Sequence, residues 1–338
     1  SDNTRHSHDL AIGPLGGSLL KTRVSYIVSW LLLTALIVAT IGRVDWTLAI
    51  AAVAKAKPFP LILAVLFNAM ILVFATAQWL LFLPEGVSVA RSKMFKIMAI
   101  MSTVANSGPA GGGAAVGVHL LARQEGVGHS VGLSVLLLDQ LVEGLVKVAI
   151  VLLAIMVVPI GLEYKAVSAT ILIGVPTLFF VLTVIAHRRS ALESISERTT
   201  GFLGWMLTKL NLVAANLEAL RRPKKLSLTV VLGLLQKLVA ALAITCILLA
   251  FGVVTPWWGI LAVLVAVNLS TVVSVTPANL GVFEGAAFLV YTSLGISSDT
   301  AVALAIVQHA AYLIPLAGIG WIISSVRPLN ISRSKSEP

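Results

Sequence analysis

Six stretches of this chain, at about residues 24–42, 60–83, 129–159, 163–186, 226–251 and 299–326, are apolar over the length of a membrane-spanning helix. A helix rises about 1.5 Å per residue and a bilayer's hydrocarbon core is about 30 Å thick, so roughly 20 apolar residues cross it. Inside that core no water pairs with the backbone, which restricts each run to an α-helix. Composition agrees, with 58% hydrophobic and 11% charged residues and a mean hydropathy of +0.99. Soluble chains carry about a quarter charged residues. The expected fold is therefore an all-α polytopic membrane protein with about six transmembrane helices.

Two further apolar regions, about 94–125 and 258–295, are broken by Pro and Gly. Each holds two legs, the shortest of about a dozen residues, and about 18 Å of helix is too short to span. They read as re-entrant hairpins. The two regions also repeat each other. Ser102-Thr103-Val104 recurs as Ser270-Thr271-Val272, Pro109-Ala110 as Pro277-Ala278, Gly113 as Gly281 and Gly117 as Gly285, seven identities at one offset of 168. The flanking runs obey the same shift, 226–251 onto 58–83 and, with one extra residue, 299–326 onto about 130–157. The chain thus reads as a single membrane domain, 24–326, built by duplication: repeat 1 at about 58–159, repeat 2 at about 226–326, and a basic linker, 187–225, between them.

Basic residues set the direction. The linker carries Arg188, Arg189, Arg198, Lys209, Arg221, Arg222, Lys224 and Lys225, which places it in the cytoplasm by the excess of Lys and Arg on that side. Counting outward, the N-terminal segment 1–23 and the tail 327–338 are both cytoplasmic, as are Arg91, Lys93 and Lys96, while Arg43, Lys55 and Lys57 fall outside. The first hairpin then enters from the cytoplasm and the second from the opposite face, giving an inverted-topology repeat of the kind secondary transporters use. Residues 200–221 and Trp46–Lys57 read as interfacial helices or plain connectors. The net charge of +10 is spread between apolar runs, so no nucleic-acid partner is expected. Cys246 is the one cysteine, which excludes an intramolecular disulfide and a thiolate metal cluster. No cofactor is expected, and the first apolar run is read as a retained anchor.

Charge inside the membrane is expensive and marks candidate sites. Asp139, Glu143 and Lys147, spaced i, i+4, i+8, share one helix face with Gln140 beside it. That face must look inward, either as a structural Glu143–Lys147 pair or as part of a transport path. Lys237 is a partner for one of the carboxylates. His309 and Gln308 stand at the repeat-equivalent positions of Gln140 and Asp139. Helix breaks at Pro109 and Pro277 leave half-helices starting near Gly113 and Gly281, whose unpaired N–H groups attract anions such as lipid phosphates. Asn279 lies in the second break. Glu284, on the leg that follows, either binds a cationic headgroup or proton, or pins the hairpin; its counterpart in the first repeat is Val116. Asn268, Ser270, Thr271, Ser102, Thr103 and Asn106 are expected to cap freed backbone. No HEXXH-type, Ser–His or acidic metal cluster appears.

The segment "TPANLGVFEGAAFLVYTSLGI" resembles the flippase-like transmembrane region of lysylphosphatidylglycerol synthases, through Pro277, Gly281, Glu284 and Gly295. "SGPAGGGAAVG" and "LLLDQLVEGL" resemble that family's first-half loop and Asp-containing helix. The resemblance spans about residues 24–326 and implies lipid translocation between leaflets, in an inner membrane, by a homo-oligomer. Some stand-alone members belong to hopanoid or other envelope-lipid pathways, so a lipid-biosynthesis enzyme is an expected partner beside the lipid substrate. Departures are Ala114-Ala115 where the family often has an acidic residue, and Gln140 and His309 where Arg is common. The chain as it stands carries no aminoacyl-transferase domain, so it is expected not to make aminoacylated lipid itself. The reading is a flippase or scramblase-like transporter that is not an enzyme. The alternatives are a membrane-embedded lipid-modifying enzyme using Glu284 and His309 as acid and base, or an assembly subunit of one.

Overall fold

The structure, a computed structural model, describes residues 46–107, 111–124, 127–159, 223–271 and 276–326. The apolar runs 24–42 and 163–186, the stretch 200–221, Pro109 and both chain ends lie outside the described residues. Among the described residues the fold is helical throughout. The helices are α1 (Trp46–Lys55), α2 (Pro58–Phe82), α3 (Arg91–Ser107), α4 (Gly112–Ala122), α5 (His129–Val157), α6 (Pro223–Ala250), α7 (Trp257–Ser270), α8 (Val282–Ser293) and α9 (Ser298–Val326), with one 3₁₀ turn at Pro277–Asn279. Four of them, α2, α5, α6 and α9, are long and apolar enough to cross a membrane. α3, α4, α7 and α8, at 17, 11, 14 and 12 residues, are not. Even the longest of these covers only about 26 Å.

Local chemistry fixes several of these boundaries. α2 opens on Pro58, where a missing N–H costs nothing because the first turn has no intrahelical acceptor for it. α9 contains Pro315, which cannot donate to the carbonyl of Ala311 one turn earlier. That carbonyl is buried, and Nδ2 of Asn68 on α2 donates to it instead at 3.1 Å. The break in the helix ladder is thereby closed from a neighbouring helix, as an apolar interior requires.

The expected shift of 168 carries α2 onto α6, α3 onto α7, α4 onto α8 and, with one extra residue, α5 onto α9. Equivalent elements pack in crossed fashion. α2 and α6 run antiparallel, tied by Lys57 N–H to Ala250 O (2.9 Å) at one end and by Gln78 Nε2 to Thr229 O (3.1 Å) at the other. α9 lies against α3, where Gly320 abuts Ala99 and Thr103 so closely that a side chain would collide with both, and Thr103 Oγ1 donates to Ala317 O at 2.6 Å. The matching pair, α5 and α7, meets at Lys147 and Thr271.

Each pair of short helices folds back on itself. Gly113 of α4 packs on Met101 and Ala105 of α3, and Gly259 of α7 on Leu294 just past α8. Among the described residues the two larger buried apolar clusters centre on Trp79, Met94 and Val142 of the first repeat and on Ile247, Tyr291 and Leu304 of the second. Leu66, Val73, Leu238 and Leu249 on the outer faces of α2 and α6 are more than half exposed, as helices solvated by lipid tails require. α1, read from sequence as an interfacial piece, is docked through Ala52 on Val302 and Ala303 of α9.

Candidate functional site

The interior of this bundle is not closed. A cavity of about 370 Å³ lies between the long helices and the two hairpins, and about half of its lining side chains are polar. The repeat explains where they come from. Asn68 and Gln236 are related by 236 − 68 = 168, Asp139 and Gln308 by 308 − 139 = 169, and Glu143 and Tyr312 by 312 − 143 = 169; all six line the cavity. The pseudo-symmetry that builds the fold therefore converges on this space.

Glu143 is the hub of its charged part. Its Oε1 accepts from Lys237 Nζ of α6 at 2.6 Å and lies 3.4 Å from Lys147 Nζ, one turn along α5. Lys237 also donates to Asn268 Oδ1 (2.9 Å), and Lys147 to Thr271 Oγ1 (3.4 Å). Asn268 and Thr271 stand at the C-terminal end of α7, which stops in mid-bundle. Unpaired carbonyls make such an end negative, so two ammonium groups there complement the helix dipole. Thr271 Oγ1 donates to Asn268 O, a carbonyl of the last turn, as expected of a capping residue, whereas Asn268 Nδ2 donates to Leu264 O, which lies inside the helix and is not freed backbone. Asp139 lines the same space and accepts from Gln140 Nε2 at 3.3 Å.

The second acidic centre is separate. Glu284 sits at the third position of α8, and its Oε2 accepts the N–H of Gly281 at 2.7 Å, closing the turn that follows Pro277. This is half of a capping box, since glycine offers no side chain in return. The turn needs left-handed backbone at Ala278 (φ 55°), Asn279 (φ 56°) and Gly281 (φ 82°), the last of which a residue with a Cβ adopts only under strain. The other oxygen, Oε1, lies 2.8 Å from Nδ1 of His309. His309 is 2% exposed and stacked on Phe283 at 4.2 Å, and Phe283 itself lines the cavity.

Of the residues singled out in the sequence, Asp139, Glu143, Lys237 and Asn279 line the cavity, and Lys147 joins it through Glu143. Gln140 points away and is exposed, touching the group only through Asp139. Glu284 and His309 hold each other behind the wall. Gly113 is a packing contact between α3 and α4, Gly281 and Pro277 shape the second turn, and Pro109 lies outside the described residues. Among the described residues no three His, Cys, Asp or Glu side chains gather to hold a metal ion.

Asn68, Gln78, Gln236, Gln308 and Tyr312 were not read from the sequence as lining a site. The signal was present: each is a polar side chain inside an apolar run, and Asn68 and Gln236 obey the repeat shift.

The family model of the lysylphosphatidylglycerol synthase transmembrane region matches the chain over residues 24–320. The chain belongs to that family. It is thus a multi-pass membrane protein of a lipid-related family, as the motifs around Pro277 and Asp139 imply. No curated protein matches the chain.

Proposed function

We propose that this protein moves a phospholipid or related envelope lipid between the leaflets of the inner membrane, through the central cavity and without chemical change to the lipid. The observation that carries the reading is the cavity itself: a polar, charge-bearing space between four membrane-length helices, lined by repeat-related pairs. A headgroup crossing hydrocarbon needs polar partners along its path, and broken helices are tolerated at membrane depth where they are buried in protein or line a wet cavity. The antiparallel packing of α2 on α6, and the crossed pairs α3–α9 and α5–α7, support an inverted-topology repeat. On that reading the two short-helix pairs are re-entrant hairpins entering from opposite faces, six spans are present and both termini are cytoplasmic. A homo-oligomer and a lipid-biosynthesis enzyme are its proposed partners.

The family match supports the lipid substrate. An acid–base enzyme built on Glu284 and His309 is the poorer reading. The two groups are engaged with each other, Glu284 also holds the hairpin turn through Gly281 N–H, and His309 is stacked on Phe283. The deciding experiment is reconstitution in vesicles with acyl-labelled lipids, monitoring exchange between leaflets and analysing the lipids afterwards. Exchange with unchanged lipids is the expected result. Converted lipid without exchange would overturn it.

A further inference from the structure

Resting on that transport reading, we infer that Asp139 is the proton-exchange site of the cavity, so that lipid movement is coupled to a proton taken up and released at its carboxyl group. Glu143, Glu284 and Asp139 are carboxylates carried within the membrane domain, and the first two are saturated. Glu143 holds both ammonium groups, Lys237 at 2.6 Å and Lys147 at 3.4 Å. Glu284 holds His309 and the N–H of Gly281. Asp139 lines the cavity and has neither kind of partner. Among the described residues no Lys, Arg or His forms an ion pair with it, and the bond it accepts comes at 3.3 Å from its exposed chain neighbour Gln140.

A carboxylate inside a membrane either ties helices together or carries function. Asp139 ties nothing, since Gln140 stands on its own helix. The indole N–H of Trp79 on α2 makes the same point from across the interface. It is fully buried beside Asp139 and yet reaches no acceptor, where buried donors are nearly always paired. The Asp139 carboxyl thus lies next to a donor that it does not engage.

Of the partners open to such a group, a proton suits these surroundings best. A metal ion takes several oxygen ligands at once, whereas a proton needs a single oxygen. Asp139 stands one turn from Glu143, and with both lysines on Glu143, protonation is the remaining way to relieve the repulsion between the two. The second repeat holds the neutral carboxamide of Gln308 at the equivalent position, also on the cavity, and a protonated Asp139 is its neutral counterpart. The step itself is simple. With the cavity open to one side the carboxylate takes a proton from water as O–H, and with it open to the other it returns that proton to water.

The other titratable groups around α5 are accounted for. α2, α4, α6 and α7 pack against it. α2 and α7 carry no titratable side chain, and α4 carries only His119, exposed near its end. On α6, Lys237 is held by Glu143 and Asn268, Lys224 and Lys225 stand at its start, and Cys246 is buried in the apolar cluster of the second repeat. On α5 itself His129 is exposed at the first position, and Lys147 is held by Glu143 and Thr271. Across the cavity α9 presents the Tyr312 phenol, while α3 and α8 line it without a titratable group.

The test uses the full chain in proteoliposomes with the membrane potential clamped at zero. Trace acyl-labelled phosphatidylethanolamine, phosphatidylglycerol and monoglucosyl diacylglycerol are the probes, and the one that exchanges fastest is followed. If one proton moves with each lipid, a pH difference of about one unit should drive that lipid to about a tenfold asymmetry between leaflets. In Asp139→Asn the same gradient should leave the leaflets even. Infrared difference spectra of the purified protein between low and high pH should show a protonated-carboxyl band that Asp139→Asn lacks and Glu284→Gln keeps. Should the Asn variant fail to fold, Asp139→Glu decides, because the band must then shift in frequency. Equal asymmetry in parent and Asp139→Asn, or a band untouched by both Asp139 variants, would overturn the assignment. So would asymmetry driven by a sodium gradient and not by pH. Loss of phosphatidylethanolamine exchange alone in Asp139→Asn would overturn it too, by giving Asp139 an ammonium headgroup as its partner. Exchange in the parent that stays even under the pH gradient would overturn the coupling and leave lipid transport standing. No exchange of any lipid above empty vesicles would overturn both readings.

Discussion

Replacing Asn68 by Leu removes the one donor that reaches the carbonyl stranded by Pro315. Asn68 is 4% exposed and its Nδ2 lies 3.1 Å from Ala311 O. An unpaired buried carbonyl costs about 1–3 kcal/mol, and nothing else among the described contacts serves this one. The loss therefore belongs to the carbonyl, not to the size of the side chain, and that can be isolated. In a Pro315→Ala background the residue at 315 regains an N–H, which can donate to Ala311 O as in any α-helix. Asn68→Leu should then cost less than about 1 kcal/mol, a coupling of about 1–2 kcal/mol between two residues whose side chains do not pair. The assay is reversible unfolding of the four purified variants in mixed micelles, reading helicity against denaturing detergent. Should Asn68→Leu cost the same in both backgrounds, Asn68 serves something other than the carbonyl and the reasoning fails.

Three further outcomes follow from the same contacts. Glu143→Leu leaves Lys237 and Lys147 without their carboxylate, and breaking such a pair by removing one partner costs about 3–5 kcal/mol. Its melting temperature should fall by about 10 °C, against little change for Leu133→Ala on the exposed side of α5; equal tolerance would mean the ion pairs carry no weight. Glu284→Gln keeps an acceptor for Gly281 N–H and should melt close to the parent, while Glu284→Ala should lose about 1–2 kcal/mol. Equal losses would assign the effect to charge. In a Cys246→Ser background, cysteines at Lys93 and Trp257, both exposed at the starts of α3 and α7, should label from opposite sides of the membrane. Labelling of both from one side refutes the inverted repeat.

The sequence showed the long helices because a run of apolar residues has one outcome in lipid, and it showed the repeat because seven identities shared one offset. The half-helix starts near Gly113 and Gly281 were also legible: α4 opens at Gly112 and α8 at Val282, just past glycines in left-handed backbone. Spacing alone put Asp139, Glu143 and Lys147 on one face. It did not choose between Lys147 and Lys237 for Glu143, since that depends on how α6 is rotated against α5, and the shorter contact proved to be the long-range one. Gln140 illustrates the limit from the other side. Adjacent to Asp139 in sequence, it lies about 100° round the helix and is exposed. Asn68 read as an isolated polar residue because its role depends on Pro315, some 250 residues away, and no local rule links the two.

The scaffold is symmetric and the chemistry on it is not, which bears on how such a cavity could open alternately to each side. Most of the polar side-chain bonds described between helices join one repeat to the other. Glu143 and Lys237, Lys147 and Thr271, Asn68 and Ala311, Gln78 and Gln236, and Thr103 and Ala317 all do so. Moving one repeat against its twin has to break some of these in an environment where orphaned charge is prohibitive. The charged members are placed so that this does not happen. Glu143 has Lys147 on its own helix, 3.4 Å away, and Lys237 has Asn268 on its own repeat, 2.9 Å away. Separation of the repeats would exchange partners and leave neither ion bare. A purely symmetric pair of charges, one per repeat, would have no such fallback, and this is a physical reason for the repeat-equivalent position of Glu143 to hold Tyr312 in place of a second carboxylate.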